Sequence, residues 1–121
     1  DLHENELIRF CGQSVPLGSK QLFKHQDTTF GIEICEDLWA PIPPSNRAVL
    51  EGAELIFNLS ASNELVGKND YVRNLVVGQS ARCHCAYIYA SSGYGESTQD
   101  VVFGGRSATI CHRKSTGRHR N

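Results

Sequence analysis

The sequence lacks both a charge imbalance and a long apolar run. Its 121 residues carry a net charge of -1, so no global field favours binding to nucleic acid or to an anionic membrane. No apolar run reaches the roughly 18 residues of a membrane-spanning helix. Methionine is absent, and the charged start, DLHENELIRF, is unlike a secretory signal peptide. We expect one small domain from a longer protein, with no nucleic-acid or membrane partner.

Cysteine is present, but without the spacing of a disulfide framework or of a metal site. The five cysteines are Cys11, Cys35, Cys83, Cys85 and Cys111. An odd number with no C-x-x-C pair argues against both kinds of site and favours a reducing, cytoplasmic setting. The segment holding Cys83 and Cys85 is predicted to be helical, and residues two apart on a helix point to different sides. We therefore expect no bound metal ion there.

Four apolar stretches predict strands. The stretch QLFKHQDTTFGIEIC holds two strand-like runs around a polar turn at Gln26-Asp27, and in the second run Phe30, Ile32 and Ile34 share one face. The runs LIFN and AYIYASS are also typical of strands, the first covered on both faces. VVFGGRSATI predicts a further pair of short strands around two glycines.

Two helices are predicted between these strands. PSNRAVLEGA is typical of a short helix that Ser45 caps and Gly52 ends. A longer helix is predicted from Asn69 or Asp70 to about Cys85, with an apolar face at intervals of three and four. That face comprises Tyr71, Leu75, Gly78, Ala81 and Cys85. The order strand, helix, strand, helix, strand predicts an α/β fold.

Cys35 is the first candidate for chemistry. It lies where a predicted strand ends and a turn begins, directly before Glu36 and Asp37. A strand-to-helix turn holds a side chain above the sheet edge, where it can act as a nucleophile. A cysteine in this place is also a common small, buried apolar residue. The local pattern leaves both interpretations open.

Serines after the next strand are the second candidate. Ser60 and Ser62 follow the apolar run at 55–57, and polar residues there line a crevice at the carboxyl edge of a parallel sheet or simply form a turn. The later stretch SSGYGESTQD has glycines like those of a phosphate loop. A strand-like VVF follows where such a loop needs a helix, so a turn is predicted instead.

A family resemblance is carried by three stretches: GIEICEDLWAPIPPS, GAELIFNLSAS and YVRNLVVGQSARCHCAYIYASSGYGESTQDVVFGG. Together they resemble the nitrilase-type (carbon-nitrogen hydrolase) glutaminase domain of glutamine-dependent NAD synthetases, over roughly residues 28–107. The resemblance implies part of an α-β-β-α sandwich, in which two sheets face each other and helices cover the outside. It also implies glutamine amide hydrolysis by a Cys-Glu-Lys triad through a thioester, which supplies ammonia for NAD synthesis.

The resemblance assigns roles to individual residues. Cys35 matches the nucleophile, and Ser62 matches a position that contacts glutamine. Glu36 and Trp39 lie in the stretch that shapes the substrate pocket. Glu6 matches a glutamate of a pocket-lining loop. Backbone N–H groups just after the nucleophile are expected to stabilise the oxyanion.

Several parts of the implied enzyme have no counterpart in the chain. The triad Glu and Lys of the family lie upstream of the matched region, and neither Lys20, Lys24 nor Lys68 replaces that Lys. The C-terminal synthetase domain, which uses ATP and Mg, is the implied partner in a homo-oligomer, and no cofactor is expected in the matched domain itself. We therefore expect the chain alone to be inactive and to depend on association.

Two alternative functions stay open. The chain resembles, more distantly, other nitrilase-type amidases and carbamoylases, and an open sheet edge is also compatible with a non-catalytic binding module. A division of the chain is predicted as well. Residues 1–107 form the partial hydrolase domain, and the basic residues 108–121 form a tail whose composition is typical of disorder or of a truncation artefact.

Overall fold

The computed structural model describes residues 6–61, 68–92 and 107–111. The strands in these ranges are β1 Glu6–Phe10, β2 Gln13–Leu17, β3 Phe23–His25, β4 Thr28–Ile34, β5 Leu55–Ser60, β6 Ala86–Ser91 and β7 Ser107–Cys111. The helices are α1 Pro44–Leu50, α2 Lys68–Cys83 and a 3₁₀ helix, Cys35–Trp39. None of the helices in this part of the chain is long and apolar enough to cross a membrane.

Five of the strands form one mixed sheet in the order β3-β4-β5-β6-β7. The central strands β4, β5 and β6 run parallel, and β3 and β7 pair antiparallel at the two edges. Parallel neighbours need a crossover, and α1 and α2 lie in the two crossovers. The predicted α/β class is therefore confirmed. The hairpin of β1 and β2 forms a separate two-stranded sheet, which the hydrophobic pattern does not predict.

The two faces of the five-stranded sheet differ in polarity. On the face that the helices cover, alternate residues of the parallel strands are buried, and several are polar: Gly31, Glu33, Ile56, Asn58, Ser60, Tyr87 and Tyr89. The opposite face carries the alternating apolar residues predicted for β4, together with Leu59 of β5. Ile34 is 62% exposed and Leu59 is 51% exposed. The apolar face therefore lies open, as expected of a sheet whose second layer is not among the described residues.

α1 packs directly over β4 because Gly31 has no side chain. A methyl group built on Gly31 would lie 3.0 Å from the Cβ of Ala48 in α1. Gly52 has a φ of +111°, so the predicted end of this helix is confirmed. The predicted cap is wrong, because the residue before the helix is Pro43 and Ser45 lies inside it. The carboxylate of Glu33 accepts the Ser45 N–H at 2.9 Å instead.

The predicted buried face of α2 is wrong in part, because Leu75 packs on the hydrophobic core but two other members face outward. Tyr71 is 52% exposed and Gly78 is exposed, whereas Val76, Gln79 and Ser80 are buried. Gln79 Nε2 donates to Ser45 Oγ at 2.8 Å, and Ser80 Oγ donates to the backbone oxygen of residue 85 at 2.7 Å. Because these partners make polar burial possible, a search for apolar periodicity alone selects the wrong face.

α2 also ends earlier than predicted. Its last residue is Cys83, and His84 has a φ of +50°, which ends the helix. Cys85 therefore lies outside the helix and is 2% exposed, so the helical spacing behind the expected splaying does not apply to this pair. Within the described ranges no three His, Cys, Asp or Glu side chains cluster to hold a metal ion.

β7 crosses the predicted boundary at residue 107. It pairs with β6 from the Ala86–Cys111 pair to the Ala90–Ser107 pair, so residues 108–111 lie in the sheet. The remaining tail, 112–121, and the strand predicted at VVF lie outside the described residues. The division of the chain at 107 stays a prediction.

The open apolar face predicts self-association of the isolated chain, because an exposed apolar patch of this kind favours contact with another surface. Replacing Ile32 and Leu59 by Glu should make the chain sediment as a monomer, whereas the parent chain should sediment as a larger species. Sedimentation velocity at several concentrations measures this.

A matched control is Leu50→Glu, since Leu50 is 88% exposed on α1, on the other side of the sheet. This variant should associate like the parent chain. A parent chain that is monomeric and unfolds cooperatively would show that the open face does not drive association.

Candidate active site

Cys35 has a backbone conformation that is rare for a residue with a side chain. It directly follows β4, begins the 3₁₀ helix and has a φ of +49°. The left-handed region costs a non-glycine residue roughly 1–2 kcal/mol. Other contacts must therefore hold Cys35 in this conformation. The side chain is half-buried at the carboxyl edge of the parallel strands, the edge at which such sheets bind ligands.

Asn58 of β5 holds the backbone of Cys35 on both sides. Its Oδ1 accepts the Cys35 N–H at 3.1 Å, and its Nδ2 donates to the Cys35 carbonyl oxygen at 3.2 Å. The same Nδ2 donates to the Tyr87 hydroxyl oxygen at 3.1 Å. Asn58 is fully buried. It therefore acts as a two-point clamp on the strained residue.

A buried carboxylate fixes this clamp in turn. Glu33 of β4 accepts hydrogen bonds from the Tyr87 hydroxyl and from the Ser45 N–H. Burial, and then the Glu33 carboxylate, raise the pKa of Tyr87 far above its ordinary value. Tyr87 thus stays protonated and donates to Glu33 while its oxygen accepts from Asn58. The chain of contacts runs from α1 through β4 and β6 to the backbone of Cys35.

The sulfur of Cys35 contacts a second hydroxyl pair. Ser60 Oγ donates to Cys35 Sγ at 3.3 Å, and the Tyr89 hydroxyl donates to Ser60 Oγ at 2.8 Å. The register explains this contact: Ile34 pairs with Leu59, so the next residue of each strand lies side by side. Ser60, proposed from the sequence to line a crevice, lies at the sulfur.

The acidic residues after Cys35 do not share one role. Asp37 Oδ2 accepts the Ile34 N–H at 2.9 Å, so this carboxylate stabilises the turn itself. Glu36 is exposed. Its amide lies in the first turn of the 3₁₀ helix, where backbone N–H groups lack an acceptor within the helix. The preceding amide, that of Cys35, donates to Asn58 Oδ1.

The other residues predicted for the site lie in different places. Trp39 is half-buried and packs edge to face on Tyr71, with ring centres 5.9 Å apart. Glu6 is exposed at the start of β1. β1 belongs to the two-stranded sheet, and among the described residues no strand pairing connects that sheet to β4. Ser62 lies outside the described residues. The substrate-binding roles of these residues and of Glu36 stay predictions.

Sequence reasoning missed the groups that hold the site. These are Glu33, Asn58, Tyr87 and Tyr89. The available signal was polarity at alternate positions of apolar strands: the glutamate in GIEIC, the asparagine in LIFNLS and the tyrosines in AYIYAS. All four lie on the buried face of the sheet, where a polar group needs a partner.

A cleft of about 250 Å³ lies beside the site and not over it. It separates residues 19–22 from α1 and β4, and its lining includes Glu33, Arg47 and Ile56 but not Cys35. This cleft is therefore not the approach to the sulfur.

Curated relatives identify the family, although no family model matches the chain. The chain is 41% identical over 107 residues to the glutamine-dependent NAD(+) synthetase of Mycobacterium tuberculosis, covering 86% of this chain and 16% of that protein. The enzyme of the same name from Thermotoga maritima is 37% identical over 81 residues, 66% of this chain and 14% of that protein. The chain belongs to the glutamine-dependent NAD(+) synthetase family. It matches the nitrilase-like glutaminase domain and spans about a sixth of the length of its mycobacterial relatives.

Solved structures confirm the fold. A glutamine-dependent NAD(+) synthetase from Cytophaga hutchinsonii superposes with a TM-score of 0.71 at 27% identity, over 88% of this chain and 16% of that one. An amidase of the nitrilase superfamily from Nesterenkonia superposes with a TM-score of 0.66 at 16% identity, over 91% of this chain and 41% of that one. The predicted nitrilase-like class is therefore confirmed.

The left-handed φ of Cys35 predicts an unusual preference for glycine. Cys35→Gly should be more stable than Cys35→Ala by roughly 0.5–1 kcal/mol, because only alanine retains the steric cost of this φ. Urea unfolding of both variants measures the difference. At Val77, exposed in α2, the same pair of substitutions should favour alanine by about 1 kcal/mol. Equal preferences at both positions would contradict a strained Cys35.

The clamp predicts a large cost for truncating Asn58. Asn58→Ala should lower the free energy of unfolding by roughly 2–4 kcal/mol, because it leaves buried backbone groups without a partner. The control Asn74→Ala, at an exposed position of α2, should change it by less than about 0.5 kcal/mol. Urea unfolding followed by circular dichroism compares the two. Similar small effects would show that the clamp carries little energy.

Proposed function

We propose that this chain supplies the nucleophile of a glutamine-hydrolysing domain, with Cys35 as the attacking thiolate. The observation that supports this most is the way Cys35 is held: a left-handed residue at the carboxyl edge of a parallel sheet, clamped through its backbone by Asn58. The relatives whose names include glutamine dependence favour the side-chain amide of glutamine as the substrate.

The proposed reaction has two covalent steps. The Cys35 sulfur attacks the amide carbon, and the carbonyl oxygen becomes an oxyanion that the Glu36 N–H stabilises. The carbon–nitrogen bond then breaks, the nitrogen takes a proton and leaves as ammonia, and a thioester remains on Cys35. Water attacks the thioester carbon, glutamate leaves, and the sulfur is free again. We propose that the protons are transferred by the Glu and Lys that the family resemblance implies outside the matched region.

Residues at the edge of the site complete the proposal. Ser62, Glu36, Trp39 and Glu6 are proposed to bind glutamine, on the basis of the resemblance. The ammonia is proposed to pass to a synthetase domain that uses ATP and Mg in a homo-oligomer. No disulfide joins Cys11, Cys35, Cys83 and Cys85 to one another, which supports a reducing, cytoplasmic setting.

A second nitrilase-type activity has one observation in its favour. The Nesterenkonia amidase has a similar fold, and a related structure shows acrylamide added at the active-site cysteine of that amidase. At 16–18% identity this likeness concerns the fold. Hydrolysis of short aliphatic amides in preference to glutamine would favour the amidase.

The proposal predicts that the isolated chain releases no ammonia from glutamine above background, since losing triad members lowers the rate by roughly 10³–10⁶-fold. Activity should return in a chimaera in which this chain replaces the matching segment of the Mycobacterium tuberculosis relative. Ammonia release by the pure proteins measures both.

Within the chimaera, Cys35→Ala should abolish glutamine hydrolysis, and Cys11→Ser should leave it unchanged because Cys11 is an exposed thiol in the turn between β1 and β2. Glutamine hydrolysis that survives Cys35→Ala would overturn the proposed nucleophile. Hydrolysis by the isolated chain would overturn the prediction of inactivity.

A further inference from the structure

Two buried hydroxyl groups lead from β6 to the sulfur of Cys35. The Tyr89 hydroxyl lies 2.8 Å from Ser60 Oγ, and Ser60 Oγ lies 3.3 Å from Cys35 Sγ. Both hydroxyl-bearing residues are buried in the sheet, and the sulfur is half-buried. The pair is fixed by strand register, since Asn58 pairs with Tyr89 and Ser60 pairs with Ser91.

The direction of these hydrogen bonds favours one form of the sulfur. A hydroxyl group has one proton to donate. Because Ser60 Oγ accepts from Tyr89, its own proton is directed to the sulfur. A thiol can donate or accept, whereas a thiolate can only accept. A donor aimed at the charged form stabilises it, and a chain of two hydroxyl groups polarises the final donor further.

The charged surroundings make such a donor necessary. The titratable or charged groups on the strands, α1 and the 3₁₀ helix around Cys35 are Glu33 on β4, Glu36 and Asp37 on the 3₁₀ helix, Arg47 on α1, and Tyr87 and Tyr89 on β6. Those on α2 are Lys68, Asp70, Tyr71, Arg73, Arg82 and Cys83. The three nearest in sequence are carboxylates, which disfavour an adjacent thiolate. Ser60 Oγ donates to the sulfur, whereas Glu33 accepts from the Tyr87 hydroxyl and Asp37 from the Ile34 N–H.

We propose that Ser60 is a catalytic residue that holds the Cys35 sulfur as a thiolate, and that Tyr89 is a positioning residue that directs the Ser60 proton to it. This inference rests on the proposed function for its role in turnover. The state of the sulfur itself can be measured without glutamine.

The test is the pH dependence of alkylation of Cys35 by iodoacetamide, in which the thiolate sulfur bonds to carbon and iodide leaves. The full chain carries Cys11→Ser, and peptide mass spectrometry assigns the adduct to Cys35. Burial raises the pKa of Cys85 to about 11 and that of Cys83 above its ordinary value, so both react slowly. Ser60→Ala should move the midpoint of the rate profile upward by about one pH unit, since one donor to the charged form is lost.

Matched variants separate this role from a structural one. Tyr89→Phe should move the midpoint upward by less than Ser60→Ala, and Ser60→Thr, which keeps the hydroxyl, should restore it. Ser91→Ala is the control, because Ser91 pairs with Ser60 across the strands and its Oγ donates to the Ser92 carbonyl oxygen. This control should leave the midpoint unchanged.

Two results would overturn the inference: an unchanged midpoint in Ser60→Ala, or an equal shift in Ser60→Ala and Ser60→Thr. If circular dichroism shows that Ser60→Ala does not fold, the alkylation midpoint of Tyr89→Phe becomes the test. An unchanged midpoint in Tyr89→Phe would count against a hydrogen bond from Tyr89 through Ser60 to the sulfur. If Ser60→Ala moves the alkylation midpoint upward but the chimaera does not hydrolyse glutamine, the role of Ser60 at the sulfur is supported and glutamine hydrolysis is refuted. If the chimaera hydrolyses glutamine fully but Ser60→Ala leaves the alkylation midpoint unchanged, glutamine hydrolysis is supported and the role of Ser60 is refuted.

Discussion

The clamp that Asn58 places on Cys35 is the interaction on which the site depends. A left-handed residue with a side chain is unfavourable by itself, and here both its N–H and its carbonyl oxygen bind one buried amide. Since that amide lies on the neighbouring parallel strand, the position of Cys35 is determined by strand pairing and not by a surface loop. The position of the sulfur is therefore as well defined as the sheet.

The clamp also explains why the covered face of the sheet is polar. Asn58 binds Tyr87, Tyr87 binds Glu33, and Glu33 accepts the N–H of Ser45 at the start of α1. Every member needs the next, because a buried polar group without a partner is costly. The hydrogen bonds specify the geometry of this network, which lies beside the hydrophobic core that Ile56, Val76 and Tyr87 form under the helices. The exposed apolar residues of β4 and β5 lie on the opposite face.

The sequence predicts the parts of this fold that depend on local patterns. The period of two in β4, the left-handed glycine after α1 and the place of Cys35 at a strand end all follow from neighbouring residues. The buried face of α2 does not, because Gln79 is buried by a hydrogen bond to a serine 34 residues away. The same holds for Ser45, whose expected capping role passes to Glu33. Long-range polar partners leave no periodic signal in the chain.

The residues of the candidate site also differ in whether local sequence patterns predict them. Cys35 is recognisable from its motif, whereas the residues that define its geometry are recognisable only once β4, β5 and β6 are aligned. The described residues that hold the Cys35 backbone and sulfur come from these three strands and their connections, between residues 33 and 89. Among the described residues, the Cys35 backbone and sulfur are therefore held by contacts at the sheet edge. A sheet edge can hold a cysteine in this way while the surrounding loops vary, and such variation is how one fold comes to carry different functions.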